Sequence, residues 1–211
     1  MTFPFPVFCP AAPVKISHVN HSFSAVDGAS RTFSGVVPGD AGFYVVAVGS
    51  QQSGTPSISS ITARGVAMTL IETVTSTNTR ISLYGVNLPA GSAGDVAITF
   101  SASQVRCGVD IWKLENLQST TATATANDNT NPLSQSLAVH AGGVAVGFAV
   151  NATNGSTISW SGLAPDGTTE PGESSYVSLG ASIGPIDAQT LAITATPTTF
   201  SLGVMVLAAF R

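Results

Sequence analysis

The sequence predicts an all-β fold, a jelly-roll-like sandwich of about a dozen strands built from an internal duplication. Three observations carry that prediction. Apolar and β-branched residues gather in segments of strand length that return every 8 to 14 residues, and nowhere do they take the i, i+3, i+4 spacing of an amphipathic helix. Turn-forming clusters such as Ser53-Gly54-Thr55-Pro56 and Pro89-Ala90-Gly91 separate them. Finally, the chain repeats itself. Ala41-Gly42, the run Tyr44 to Val48 and Ile58-Ser59 return as Ala141-Gly142, Val144 to Phe148 and Ile158-Ser159, an offset of 100. Ser82-Leu83 returns as Ser178-Leu179 at 96, while Ala97-Ile98-Thr99 and Gly108-Val109 return as Ala192-Ile193-Thr194 and Gly203-Val204 at 95. Loop deletions in one copy would produce the drift, and the repeat units cover about 41–114 and 141–210.

Residues 1–18 read as an extended arm. Pro4, Pro6, Pro10 and Pro13 alternate with Phe3, Phe5 and Phe8; proline fixes φ and lacks an N–H, so neither a helix nor a central strand forms there. Exposed phenylalanines cost solubility, so the arm seats them on its own domain or on a neighbouring subunit. Phe3, Pro4, Phe5, Pro6, Phe8 and Pro10 are the candidate interface residues. Between Val19 and Val37 the spacing of Phe23, Val26, Phe33 and Val36 around Gly28 predicts a short hairpin. Phe43 to Val48 is almost continuously apolar, the pattern of a central strand covered on both faces. Further strands are expected at Ser57–Thr62, Val66–Glu72, Arg80–Val86, Asp95–Phe100 and Arg106–Leu114.

Gln118 to Pro132 joins the units; its alternating Thr and Ala suit an edge strand and its polar tail a loop. The second unit predicts strands at Ser134–Val139, Gly143–Asn151, Thr157–Ser161, Ser175–Ser182, Gln189–Ala195 and Phe200–Phe210, with Asn154-Gly155 as a strong hairpin signal. The final strand, reaching almost to Arg211, is expected inside a sheet. One half alone would leave an apolar sheet face uncovered, so residues 19–211 are read as a single sandwich domain, with two tandem small sandwiches as the alternative.

Composition narrows the function. Only 9% of residues are charged, against about 25% in an ordinary soluble domain, so the surface is one of hydroxyls and amides. The net charge is −4, with Lys15 and Lys113 as the only lysines and the arginines dispersed. Nucleic acid wants a clustered basic stripe, and none is present. Leu202 to Phe210 falls far short of the ~20 apolar residues of a spanning helix, so no membrane partner is expected. The N-terminus lacks a basic n-region, and its prolines interrupt any helical hydrophobic stretch, so it is not read as a secretory signal peptide. Cys9 and Cys107 are too few for a disulfide framework; Cys107 reads as a buried small hydrophobe, and a Cys9–Cys107 bridge requires the arm to fold back.

Chemistry-bearing groups are sparse. His18, His21 and His140 have no orienting partner nearby in sequence, and no nucleophile elbow, zinc helix or phosphate loop occurs. No enzyme activity and no cofactor are expected. Asn127-Asp128-Asn129, and Asp166 with Glu170 and Glu173, offer oxygen ligands for a cation, but turn chemistry explains both and neither has EF-hand spacing. Asn151-Ala152-Thr153 and Asn154-Gly155-Ser156 match the glycosylation pattern without a signal peptide to deliver them. A glycan-binding face would need exposed aromatics, for which Trp112, Tyr84 and Tyr176 are the candidates; Trp160 shares a side with Ile158 and belongs to the core.

An all-β, charge-poor chain rich in Thr, Ser, Gly and Ala, with an apolar proline-rich arm and glycine-punctuated strands such as Ala141 to Val150, resembles the accessory proteins of tailed bacteriophages. Those are capsid decoration proteins, head spikes or fibres, and tail-associated sandwich modules. The resemblance implies a non-enzymatic virion structural protein assembled in the host cytoplasm, a homo-oligomer whose partners are coat or tail subunits. It names no site residues. Two other readings stay open: a module binding host-surface glycan, and a self-assembling surface-layer or appendage subunit.

Overall fold

The computed structural model describes residues 12–168, 170–172 and 176–211. Among them are eighteen strands in four antiparallel sheets and no helix. The first half holds β1 (Lys15–Ser24), β2 (Gly28–Val37), β3 (Gly42–Gln51), β4 (Ile58–Ala63), β5 (Val66–Ala67), β6 (Thr69–Thr75), β7 (Thr79–Leu88), β8 (Gly94–Gln104) and β9 (Arg106–Glu115). The second holds β10 (Ala124–Asp128), β11 (Leu133–Val139), β12 (Gly143–Asn151), β13 (Ile158–Ser161), β14 (Ala164–Pro165), β15 (Glu170–Gly172), β16 (Tyr176–Ile186), β17 (Gln189–Pro197) and β18 (Val204–Phe210).

In the first half an inner sheet, β1-β9-β3-β7-β6, covers an outer one, β2-β8-β4-β5. With β6 set aside as an added edge, the first, eighth, third and sixth strands form one sheet and the second, seventh, fourth and fifth the other, which is jelly-roll order. The second half repeats it: β10-β18-β12-β16 is the inner sheet and β11-β17-β13 the outer. There β14 joins the edge of β16 instead of β13. The expected all-β jelly-roll character is present, with more strands and twice the sheets that the sequence suggests.

The halves join face to face through their inner sheets, giving four layers. Phe43, Val45, Ala47, Ile81, Leu83, Trp112 and Leu114 from one side meet Val144, Val146, Phe148, Val150, Val204, Val206 and Phe210 from the other. The alternate residues of the same strands face their own outer sheets: Tyr44, Val46 and Val48 on β3, and Met205, Leu207 and Ala209 on β18. Both inner sheets are therefore buried on both faces, which is why β3, β12 and β18 read as unbroken apolar runs. The outer strands alternate instead, as in Leu133, Leu137 and Val139 buried against Ser134, Ser136 and Ala138 exposed on β11.

This difference explains how the sequence repeat maps onto the structure. On the outer strand pair β8 and β17, the offset of 95 matches Ile98 to Ile193, and both side chains face the core of their own half. On the inner strands the offsets are one residue out of phase. Leu83 points to the interface between halves, whereas Leu179 points to its own outer sheet, and Val109 and Val204 are inverted in the same manner. A one-residue slip exchanges the faces of a strand. Where both faces are apolar, the sequence carries no alternation to fix the phase.

Three local expectations change. The segment Val19 to Val37 is no hairpin: β1 pairs with β9 and β2 with β8, so the chain crosses between sheets at Asp27-Gly28. Likewise Asn154-Gly155 makes a turn, with Gly155 at φ 65°, that carries the chain from the inner strand β12 to the outer strand β13. In a jelly roll most sequence neighbours lie in opposite sheets, so the turn chemistry is legible and the pairing is not. The expected strand Val66–Glu72 divides at Met68 for the same reason, β5 closing the outer sheet and β6 the inner. Strand β10 is the edge strand expected from the Thr/Ala alternation, and β18 lies between β10 and β12.

Candidate functional site

The candidate interface residues Phe3, Pro4, Phe5, Pro6, Phe8 and Pro10 lie outside the described residues, as does Cys9. The root of their segment is described. The Val14 N–H donates to the Gly142 carbonyl at 3.2 Å, the Asn116 side-chain amide donates to the Pro13 carbonyl at 3.2 Å, and Val14 is buried. The start of the body is thus tied to both halves, and β1 begins at Lys15, inside the stretch assigned to the arm.

The strongest concentration of chemistry lies where β1 and β9 meet the second half. Asp110 on β9 is 1% exposed, and its carboxylate oxygens take His18 Nε2 at 2.6 Å and His21 Nδ1 at 2.8 Å. Residues three apart on a regular strand face opposite ways. A bulge between His18 and Asn20 absorbs one residue, so His18 stands opposite Trp112 and His21 opposite Asp110, on one face. Sequence spacing carries no sign of this: the orienting carboxylate is 92 residues from His18, and the bulge has no local marker.

The network continues into the second half. The indole N–H of fully buried Trp112 donates to Asp166 at 2.7 Å, and the Ser182 hydroxyl donates to the other Asp166 oxygen at 2.9 Å. His18 and Trp112 stack tilted, with ring centroids 6.0 Å apart. Burial lowers the His18 pKa, but the hydrogen bond to Asp110, the charges of Asp110 and Asp166, and a backbone bond to Asn20 outweigh it and leave the imidazole above its ordinary value. A proton on His18 therefore neutralises a carboxylate that burial would otherwise penalise heavily. Gly180 makes the close approach possible, since a Cβ there would sit 2.8 Å from the Asp110 carboxyl carbon and from the Trp112 ring. The arrangement stores a proton and locks two halves together; it presents neither carboxylate oxygen of Asp110 to an outside molecule.

The remaining candidates take structural places. Burial raises the Asp128 pKa, but N–H groups of Ser134, Thr130 and Asn129 and the Thr130 hydroxyl bond its carboxylate and hold it below the ordinary carboxylate range. Its neighbours fasten the halves, Asn127 to Glu72 and Asn129 to the Thr75 carbonyl. Asp166 is occupied as above, Glu173 lies outside the described residues, and the described residues contain no group of three His, Cys, Asp or Glu able to hold a metal. Asn151 of the first glycosylation match is fully buried, its amide donating to the Thr199 carbonyl. Trp112, Tyr84 and Tyr176 are buried, so they do not form the exposed platform a glycan would stack on. Cys107 is buried and free, and burial pushes its thiol up to about 12.

A trough opens beside the root of the arm. One part, lined by Leu114, Glu115, Asn116, Leu117, Phe43, Asn87 and Thr120, shares Phe43, Asn87 and Thr120 with a groove of about 400 Å³ that reaches Leu70 and Ile71. Leu70 is 50% exposed, one of three large hydrophobics so placed among the described residues. Sequence reasoning missed the trough because its walls, β6 and residues 120–125, come from different halves.

These features define the chain as an all-β protein of two jelly-roll sandwiches fused through their inner sheets. No family model, curated protein or solved structure matches it.

Proposed function

We propose that the chain is a non-enzymatic virion structural protein, a capsid decoration or head/tail accessory subunit that attaches to neighbouring subunits partly through its N-terminal arm. The observation that carries this reading is the anchored root. In the sequence a Phe/Pro segment without a single charged side chain precedes Pro13, and Pro13 and Val14 are tied to both halves. Support also comes from how the body spends its polar groups: Asp110, Asp128 and Asp166, all well placed for chemistry, are consumed in joining strands and halves. Jelly rolls recur in capsid proteins, an analogy at the level of fold alone. Each phenylalanine buried against a neighbour would contribute about 2–3 kcal/mol before ordering costs.

The test is incorporation into particles. A chain lacking residues 1–11 keeps Val14 and every described strand; it should fold and fail to co-purify with virions that take up the full-length protein. Normal uptake of the truncated chain would overturn the arm's role, and absence of the full-length protein from purified particles would overturn the virion reading.

A further inference from the structure

We propose that the free edge of β6 is the contact through which two copies of the chain form a two-fold dimer, their β6 strands antiparallel and Leu70 of each copy at the axis. Several observations converge on a second copy. Among the described residues β6 pairs only with β7, so its outer side presents unpaired backbone N–H and C=O groups, whose complement is another strand edge. The edge lacks the usual protection, since Val66 to Ile71 contains no proline and no charged side chain. Leu70 and Val66, 50% and 42% exposed, are two of the three large hydrophobics so placed among the described residues. Beside them lies the groove of about 400 Å³, with buried Phe43 and Val86 and exposed Asn87, Thr120 and Thr121 in its lining and no charged residue. One surface thus holds both a projecting apolar side chain and an uncharged hollow. A two-fold axis brings the projection of each copy to the hollow of the other, which is what self-complementary contact requires.

The register follows from what is already occupied. The Asn127 amide donates to Glu72 at 3.2 Å and the Asn129 amide to the Thr75 carbonyl at 3.0 Å, so the second half covers the far part of β6 and leaves Thr69 to Ile71 open. Glu72 is the only charged residue of β6. Centring the pair on Glu72 would set like charges directly opposite each other. Centring it on Leu70 separates the two carboxylates by about four residues, ~13 Å along the strands. The bulge between Leu70 and Glu72 ends the regular edge there, so the contact is short. Each copy uses the same edge, so the pair closes on itself and no third copy adds to it.

The contact belongs to the purified full-length chain and is independent of the virion reading. In sedimentation equilibrium up to about 100 μM the native chain should approach twice the mass of one chain. Leu70→Asp, at a half-exposed site, sets two carboxylates against each other at the axis and should weaken association about a hundredfold. Leu70→Lys should do the same with two ammonium groups. An equimolar mixture of the two variants should recover dimers, because Asp then meets Lys across the axis; that recovery also excludes misfolding as the cause of the loss. A native chain that stays monomeric at about 100 μM overturns the proposal. So does a Leu70→Asp chain that dimerises as the native one does, or a mixture that associates no more tightly than either variant alone. Particle incorporation is scored separately, so a failed dimer and a failed virion assignment are distinguishable.

Discussion

Replacing Asp110 by Asn tests whether the buried proton of the His18–Asp110–His21 cluster stabilises the fold. The carboxylate is 1% exposed and accepts from two imidazoles at 2.6 and 2.8 Å. Hydrogen bonds to a charged partner contribute about 1.5–3 kcal/mol each, and Asn keeps one acceptor oxygen while turning an amide donor toward the second ring, so Asp110→Asn should cost about 2–3 kcal/mol near pH 6. At a urea m-value of about 2–3 kcal/mol/M, the midpoint falls by about 1 M. The pH dependence is the sharper readout. His18 is raised above its unfolded value, so its contribution is complete below about pH 6.5 and is lost as pH rises through the folded pKa. In the variant, burial remains while the main raising partner is gone, so the fall should flatten or reverse sign. Unfolding followed by tryptophan fluorescence between about pH 5.5 and 8, compared between the native chain and the variant, reads this contribution; Cys107, pushed up to about 12 when folded, affects stability only once the unfolded thiol ionises at about pH 8.5. If Asp110→Asn loses stability with rising pH as steeply as the native chain, the charge pairing is not what holds the cluster.

Three further outcomes follow from the packing. Phe148→Ala removes a fully buried ring from the interface between halves and should cost about 3–5 kcal/mol by urea unfolding; a loss under about 1 kcal/mol would mean that interface contributes little. On β3 neither face is free, so Val45→Ala and Val46→Ala should each lose about 2 kcal/mol, whereas on β17 Thr194→Ala should stay within about 0.5 kcal/mol while Ile193→Ala costs roughly 2 or more. Asp128→Ala should cost about 2 kcal/mol at pH 7. The native loss of this contribution comes as pH falls from the unfolded carboxylate value through the depressed folded one, so the variant should show a shallower acid transition in circular dichroism.

Which segments are strands, where turns fall and that a large apolar core forms can all be read from the chain alone. Strand length, alternation and turn residues are local properties, and Gly143–Asn151 is legible to the residue. The covering of β3 on both faces is legible too, because an unbroken apolar run leaves no other place for it. Packing in three dimensions settles the rest: which strands are partners, and which side of each inner strand faces which core. Most jelly-roll neighbours in sequence lie in different sheets, so Asn154-Gly155 and Gly28 mark crossings that look like hairpins. Doubly buried strands carry no alternation, so their phase is set by packing, as Leu83 and Leu179 facing different cores demonstrate. The His18–Asp110–His21 cluster belongs to the same category. Its groups come from β1 and β9 at opposite ends of the first half, its alignment from a bulge, and its link to Asp166 from the docking of the second half, so none of it exists until the layers close.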